Sequence, residues 1–399
     1  MYELLRGIRV LELAAWTFVP AAGAILADWG ADVIKIEHPE SGDPQRGLLN
    51  DVIAAGGVNP IMELPNRGKR SLGIDVGHPD ARPLFETLVR RSDVFVTSFL
   101  PRVRTKLQVD VEDIRAINPD IVYVRGTGMG SRGPESGRPA YDGAVSWARS
   151  GIADLMTLPG ADPPPIPGSI GDLTGGMIIA GAIAAALLHR ERTGETTVVE
   201  SSLLATGMWL MSQSITGAPY GRSMPFGDHM HPASPLVNGY RTSDDRWIWL
   251  NMLQWRWWPD LCRRIEREDM IDDPKFATHE ARQQNMQECV HELDEAFAKK
   301  TFEEWKRILM TAEGVWAPVQ SALEVGLDPQ VVANGYFPDA VRDDGSTFKI
   351  VASPAQFGDQ VIGELKAAPE HGQHTDEILL ELGLGWDAII RLKERAAVL

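Results

Sequence analysis

Residues 8–13 read Ile8-Arg9-Val10-Leu11-Glu12-Leu13, residues 20–29 form an apolar stretch opened by Pro20, and residues 33–37 read Val33-Ile34-Lys35-Ile36-Glu37. Two β-branched runs flanking a helix-compatible stretch, all within about 30 residues, spell a βαβ unit. Such a unit sets its strands side by side and parallel, joined by a right-handed crossover. The turn between the first strand and the helix, Ala14-Ala15-Trp16-Thr17-Phe18-Val19-Pro20-Ala21-Ala22-Gly23, lacks the GxGxxG spacing that lets a backbone approach a dinucleotide pyrophosphate. An ordinary NAD site is not expected.

The alternation continues outward, so the fold class is α/β. Residues 71–75, 94–98 and 121–125 are expected strands, and 82–91 and 111–117 expected helices. Gly126, Gly128, Gly130, Gly133 and Gly137 then make a long flexible connection to Tyr141-Asp142. A proline-rich loop over 159–167 leads to Gly171-Asp172 and an apolar helix that ends near Arg192, before Gly194. Apolar all round, this helix reads as core. Its most apolar part, 175–188, is too short to span a bilayer, and residues 1–10 lack the basic-then-apolar order of a signal peptide.

Composition changes after Tyr220. Residues 221–238 are rich in Met, His, Pro and Gly, and a tryptophan cluster follows: Trp247, Trp249, Trp255, Trp257 and Trp258. The expected organisation is a large parallel-sheet domain from 1–200 and 326–399, a linker over 201–220, and a smaller α+β domain over 221–325. A length of 399 residues suits two domains, and 44% hydrophobic residues excludes disorder. The net charge of -16 argues against a general nucleic-acid or anionic-membrane binder, which needs clustered Lys and Arg. The excess is uneven, -5 over 1–200 and -11 over 201–399, which leaves room for an anionic ligand in the first half. Cys262 and Cys289 have no CxxC partner, so neither a disulfide framework nor a zinc site is expected, in keeping with a reducing cytoplasm.

Three constellations carry chemistry. Asn66-Arg67-Gly68-Lys69-Arg70, with Arg102, Arg104 and Lys106 past the 94–98 strand, puts bases where open α/β sheets bind phosphates; the bland alternative is a solvated charge run. Asp172, between Gly171 and Leu173, is read alone as a helix N-cap. It is also an ionised carboxylate that needs no adjacent base to act as a nucleophile, with Gly175 and Gly176 leaving it open to a bulky electrophile. The third is Tyr141-Asp142, with His229 and His231 beyond; the histidine spacing is only weakly metal-like, and no metal is expected.

Gly7-Ile8-Arg9-Val10-Leu11-Glu12-Leu13, Pro20-Ala21-Ala22-Gly23, the run from Leu26 through Glu37 (LADWGADVIKIE), Gly42-Asp43 with Arg46, Asn66 through Leu72 (NRGKRSL) and Gly171-Asp172 together resemble class III CoA-transferases. That family includes formyl-CoA:oxalate and carnitine CoA-transferases and 2-methylacyl-CoA racemases. The resemblance is dense to about residue 205 and looser at Asn238-Gly239-Tyr240-Arg241-Thr242. It implies a Rossmann-like large domain, a small domain and two chains interlocked as a homodimer. It implies acyl-CoA and a carboxylic acid as substrates, with no tightly bound cofactor. It also implies that Asp172 is catalytic and that Trp16, Thr17, His38, Arg70, Leu72, Ser98, Phe99, Arg102, Val103, Lys106 and Tyr141 meet CoA. His38 stands where relatives often place an arginine, and a neutral imidazole there supplies no charge to a phosphate. Gly227, His229 and Asp142 are implied at the substrate or lid, although Pro225-Phe226-Gly227-Asp228-His229-Met230-His231 replaces the glycine run of the formyl-CoA branch.

The leading expectation is CoA transfer through an anhydride and a CoA thioester on Asp172, with oxyanion donors from backbone N–H groups near Asp172 or Gly227. The second is 2-methylacyl-CoA racemisation, disfavoured because Tyr141 stands where the racemases carry a histidine and a phenol with a pKa of about 10 is a poor base. The third is a CoA-binding protein without catalysis. Met224, Phe226, Met230 and the tryptophans are compatible with an apolar acyl group, but such residues are more often core.

Overall fold

The computed structural model describes residues 2–54, 57–221, 227–359 and 362–399. The chain forms two compact units, one of Met1–Ala153, Pro165–Gly221 and Pro329–Leu399, the other of Asp154–Pro164 and Arg222–Asp328. In the larger unit, β1 (Arg9–Leu13), β2 (Asp32–Glu37), β3 (Arg70–Gly73), β4 (Val94–Thr97), β5 (Val122–Thr127) and β6 (Val198–Ser202) pair in parallel in the order β3-β2-β1-β4-β5-β6. The first five match the expected runs within a few residues. β6 was not anticipated, because Val198-Val199-Glu200-Ser201-Ser202 holds only two β-branched residues.

Register explains the core. Val10 pairs with Val33 and Val94, and Val94 with Val122. These valines face α1 (Phe18–Asp28) and the Ile170–Thr193 helix, where Val19, Leu26, Ile179 and Ile183 are buried. Strand side chains alternate faces, so Leu11, Ile34, Phe95 and Tyr123 point the other way, onto Phe85, Leu88, Ile378 and Ile389. Each such fully buried side chain contributes about 1.5–3 kcal/mol.

α1 reaches the long helix through glycines. A Cβ at Gly176 would stand 2.6 Å from that of Ala21 and 3.0 Å from the Phe18 carbonyl oxygen, and one at Gly175 would strike the Phe18 ring. These are packing glycines, which corrects the expectation that they clear a path to Asp172. The helix has 24 residues, enough in length and composition alone to cross a bilayer, and Gly194 ends it at φ 73°. It is not core all round: Ile179, Ala180, Ile183 and Ala186 are buried, whereas Leu173, Met177, Ile178 and Leu188 are exposed. Residues 201–220, expected as a linker, complete β6 and form the Leu203–Leu210 and Ser212–Gly217 helices.

The smaller unit has an antiparallel sheet of β7 (Val237–Arg241), β8 (Trp247–Asn251) and β9 (Trp316–Pro318), ordered β7-β8-β9. Ile248 and Leu250 face a core with Tyr240, Trp258, Phe297 and Trp305, while Trp247 and Trp249 face outward. Cys262 and Cys289 are buried free thiols, each pushed up to about 12 by burial. Met230 packs against this core; Met224 and Phe226 lie outside the described residues.

Candidate active site

β1 and β4 are neighbours whose following strands lie on opposite sides, the switch point at which open α/β sheets hold ligands. Two cavities open there. One of about 290 Å³ is lined by Ala14, Ala15, His38, Gly42, Asp75 and Phe99, among others. The other, of about 110 Å³, has Trp16, Ser98, Phe99, Arg104, Tyr141 and Asp172 in its wall. Ala15 and Phe99 line both, so the cavities adjoin across the ends of β1 and β4.

Asp172 lies in the first turn of the Ile170–Thr193 helix, behind Ser169. It is not the cap. Asp142 is: its Oδ2 accepts from the Gly171 N–H at 3.0 Å and the Asp172 N–H at 3.2 Å. The Ser146 hydroxyl, from the π-helical turn Gly143–Arg149, donates to Asp142 Oδ1. Asp142 is therefore buried with both oxygens engaged, and its expected place beside the substrate is corrected. Burial raises its pKa, opposed by those two backbone N–H groups. The Asp172 carboxyl, half-buried, takes no hydrogen bond from any described residue. Burial first, and then the negative charge of Asp142, push it up to about 7.

The backbone donors expected for an oxyanion are committed: Gly171 and Asp172 N–H to Asp142, and Leu173 N–H to Ser169 carbonyl at 2.9 Å. The Tyr141 hydroxyl, at the cavity wall, has no partner among the described residues. Its ring meets Trp16 edge-on, with centroids 5.3 Å apart. Thr17 is buried, its Oγ1 accepting from Gln45 Nε2 at 2.8 Å. Ser98 Oγ accepts from Ala15 N–H at 3.2 Å. Arg102 and Lys106 are exposed on the Pro101–Leu107 helix without a partner among the described residues, and Val103 is half-buried on it. Arg104 donates to the Phe99 carbonyl at 2.6 Å and pairs with Asp110. His38 lines the larger cavity, 3.9 Å from Asp75.

Other expectations are corrected. Leu72 is fully buried in the core and offers no surface to a ligand. Arg70 is held by Asp32, Glu377 and Glu381. The rest of its basic run is structural: Arg67 pairs with buried Asp28 at 2.6 Å, and Lys69 with buried Glu12 at 2.7 Å. Gly227 and His229 belong to the smaller unit, where His229 Nε2 lies 2.9 Å from Asp294 and Asn238 Nδ2 donates to its carbonyl. Sequence reasoning passed over Glu12, Lys35 and Asp43, three buried charges beside the site. The available signal was Glu12 and Lys35 inside otherwise apolar β runs, which the register sets opposite each other. Among the described residues no group of three His, Cys, Asp or Glu could hold a metal.

The model of CoA-transferase family III matches residues 5–375. The chain is 31% identical over 398 residues to (R)-2-hydroxy-4-methylpentanoate CoA-transferase of Clostridioides difficile, covering 99% of each chain. It is 32% identical to succinate–glutarate CoA-transferase of Agrobacterium fabrum, covering 95% of each. A crystal structure of a CAIB/BAIF family protein from Brucella suis superposes with a TM-score of 0.82 at 28% identity, over 95% of this chain and 99% of that one.

Proposed function

We propose, for a chain that belongs to CoA-transferase family III, that Asp172 carries CoA from an acyl-CoA donor to a carboxylic acid acceptor. The observation behind this reading is a half-buried carboxyl free of hydrogen-bond partners among the described residues, in a cavity that adjoins a larger one at the switch point. The Asp172 carboxylate attacks the thioester carbonyl; the C–S bond breaks, giving an aspartyl anhydride and CoA thiolate. The thiolate attacks the Asp172 carbonyl, releasing the donor acid and leaving an aspartyl-CoA thioester. The acceptor carboxylate attacks that thioester, giving a second anhydride and thiolate, which takes the acceptor's acyl group as the new thioester. Each step is an acyl transfer through a covalent enzyme intermediate.

In this reading Arg102 and Lys106 meet the CoA phosphates, His38 and Phe99 lie along the nucleotide, and Trp16, Ser98, Val103 and Tyr141 flank the pantetheine arm. The Tyr141 hydroxyl is the free donor for a developing oxyanion. Racemisation is not favoured, because Asp142 is buried beneath the helix terminus with both oxygens bonded. The exposed apolar side chains Leu173, Met177, Ile178, Met208 and Trp209 support the interlocked homodimer as their cover. A single turnover with an acceptor labelled with heavy oxygen in its carboxylate tests the chemistry. The route above leaves one labelled oxygen on Asp172; a completed turnover with no label there overturns it.

A further inference from the structure

Trp16, which shares a cavity wall with Asp172, holds φ at 67°. A bulky residue rarely adopts that left-handed conformation, and it persists only where the surroundings over-determine it. Those surroundings are charged and buried. Lys35 Nζ donates to the Ala14 carbonyl at 3.1 Å, and Asp43 Oδ1 accepts from the Trp16 N–H at 3.4 Å. Lys35 and Asp43 pair with each other at 2.8 Å, their side chains 0% and 1% exposed. The Ser98 hydroxyl takes the Ala15 N–H between these two anchors.

The pair is itself embedded. Glu12 accepts from Lys35 at 3.4 Å and from Lys69 at 2.7 Å, and Lys69 also donates to the Pro20 carbonyl in the first turn of α1. The Asp43 N–H donates to Glu37, which pairs with Arg46. Three carboxylates and three basic side chains thus lie together behind one turn of backbone. A buried cluster of this kind is a weak source of net stability compared with apolar side chains of the same volume. What distinguishes it is that two of its bonds end on Ala14 and Trp16, on either side of Ala15, which lines both cavities.

We propose that Lys35 and Asp43 are positioning residues that hold the Ala14-Ala15-Trp16 turn, and so set the Trp16 ring against Tyr141 where the acyl-thioester end of acyl-CoA approaches Asp172. The proposal rests on the CoA-transfer reading and adds to it a device for aligning the substrate. Asp43→Asn removes the ion pair, and Trp16→Gly removes the ring while accepting a positive φ at no steric cost.

The test compares wild type, Asp43→Asn and Trp16→Gly as full-length proteins, by steady-state transfer kinetics and by hydrogen exchange of the Trp16 amide. The expected result for Asp43→Asn is a KM for acyl-CoA about tenfold higher, a smaller change in kcat, and markedly faster exchange at the Trp16 amide. Trp16→Gly should reproduce the KM rise. A folded Asp43→Asn with wild-type KM, or with wild-type protection of the Trp16 amide, overturns the proposal. If Asp43→Asn does not fold, an unchanged KM in Trp16→Gly overturns it as well. A wild-type chain that transfers no CoA would instead defeat the underlying reading, and the exchange measurement would still decide whether Asp43 holds Trp16.

Discussion

At the scale of single residues, Asp142 and Asp172 divide one helix terminus between them. Asp142 takes the N–H groups, and burial, with the Asp142 charge second, pushes the Asp172 pKa up to about 7. Formation of the aspartyl intermediate should therefore weaken as pH falls through about 7, because the protonated carboxyl is a poor nucleophile. Asp142→Asn keeps an oxygen for the N–H groups but removes the charge. Its acid limb in a pH profile of the first half-reaction should move below that of wild type; an unmoved limb would mean that Asp142 does not tune Asp172. Stability gives a second check. Because Asp172's folded pKa lies above its unfolded value near 3.8, its ionisation in the fold costs stability as pH rises from about 4 through about 7. Asp172→Asn should thus be more stable than wild type at pH 8, by at most about 4 kcal/mol, with the difference vanishing near pH 4 in chemical denaturation. The place of Asp172 at the start of a helix was legible in the sequence from Gly171-Asp172 and the apolar run that follows. Its cap was not, since Asp142 stands thirty positions earlier and only tertiary structure brings it there.

At the scale of elements, what could be read was periodicity. Five parallel strands announced themselves as short apolar runs between helical stretches, and alternation sets their valines on one face and Leu11, Ile34, Phe95 and Tyr123 on the other. Charge was less legible. The Asn66 to Arg70 run looks like a phosphate site in one dimension, but its bases fold back onto Asp28, Glu12 and Asp32, partners scattered through α1, β1 and β2. Arg102 and Lys106, without a partner among the described residues, sit on the Pro101–Leu107 helix after β4, whose Pro101 and Leu107 line the two cavities. Glycine was likewise misread at positions 175 and 176, where the sequence shows a missing side chain but not the helix that needs its absence. Gly176→Ala should cost about 1–3 kcal/mol, measured by urea denaturation, because its nearest neighbours include the backbone of α1, which cannot step aside. A variant as stable as wild type would show that the two helices are not in the close contact described.

At the scale of the whole molecule, the acidic excess and the acid-binding chemistry are reconciled by location. Arg102 and Lys106 have no partner among the described residues, and a single nucleotide would require only a few such bases, whereas a nucleic-acid surface requires many. The long helix and the Leu203–Leu210 helix carry a row of exposed apolar side chains on the larger unit. Trp209, 71% exposed, is its most prominent member. Sedimentation should show a dimer for wild type, and Trp209→Arg should shift it toward monomer; a wild-type monomer would remove the homodimer from the account. The covalent role of Asp172 is tested by mass analysis of the protein after exposure to an acyl-CoA without acceptor. The account predicts a CoA adduct on the peptide that contains Asp172, absent in Asp172→Ala together with transfer activity. An Asp172→Ala variant that transfers CoA at the wild-type rate, or a wild-type adduct on another residue, would contradict it.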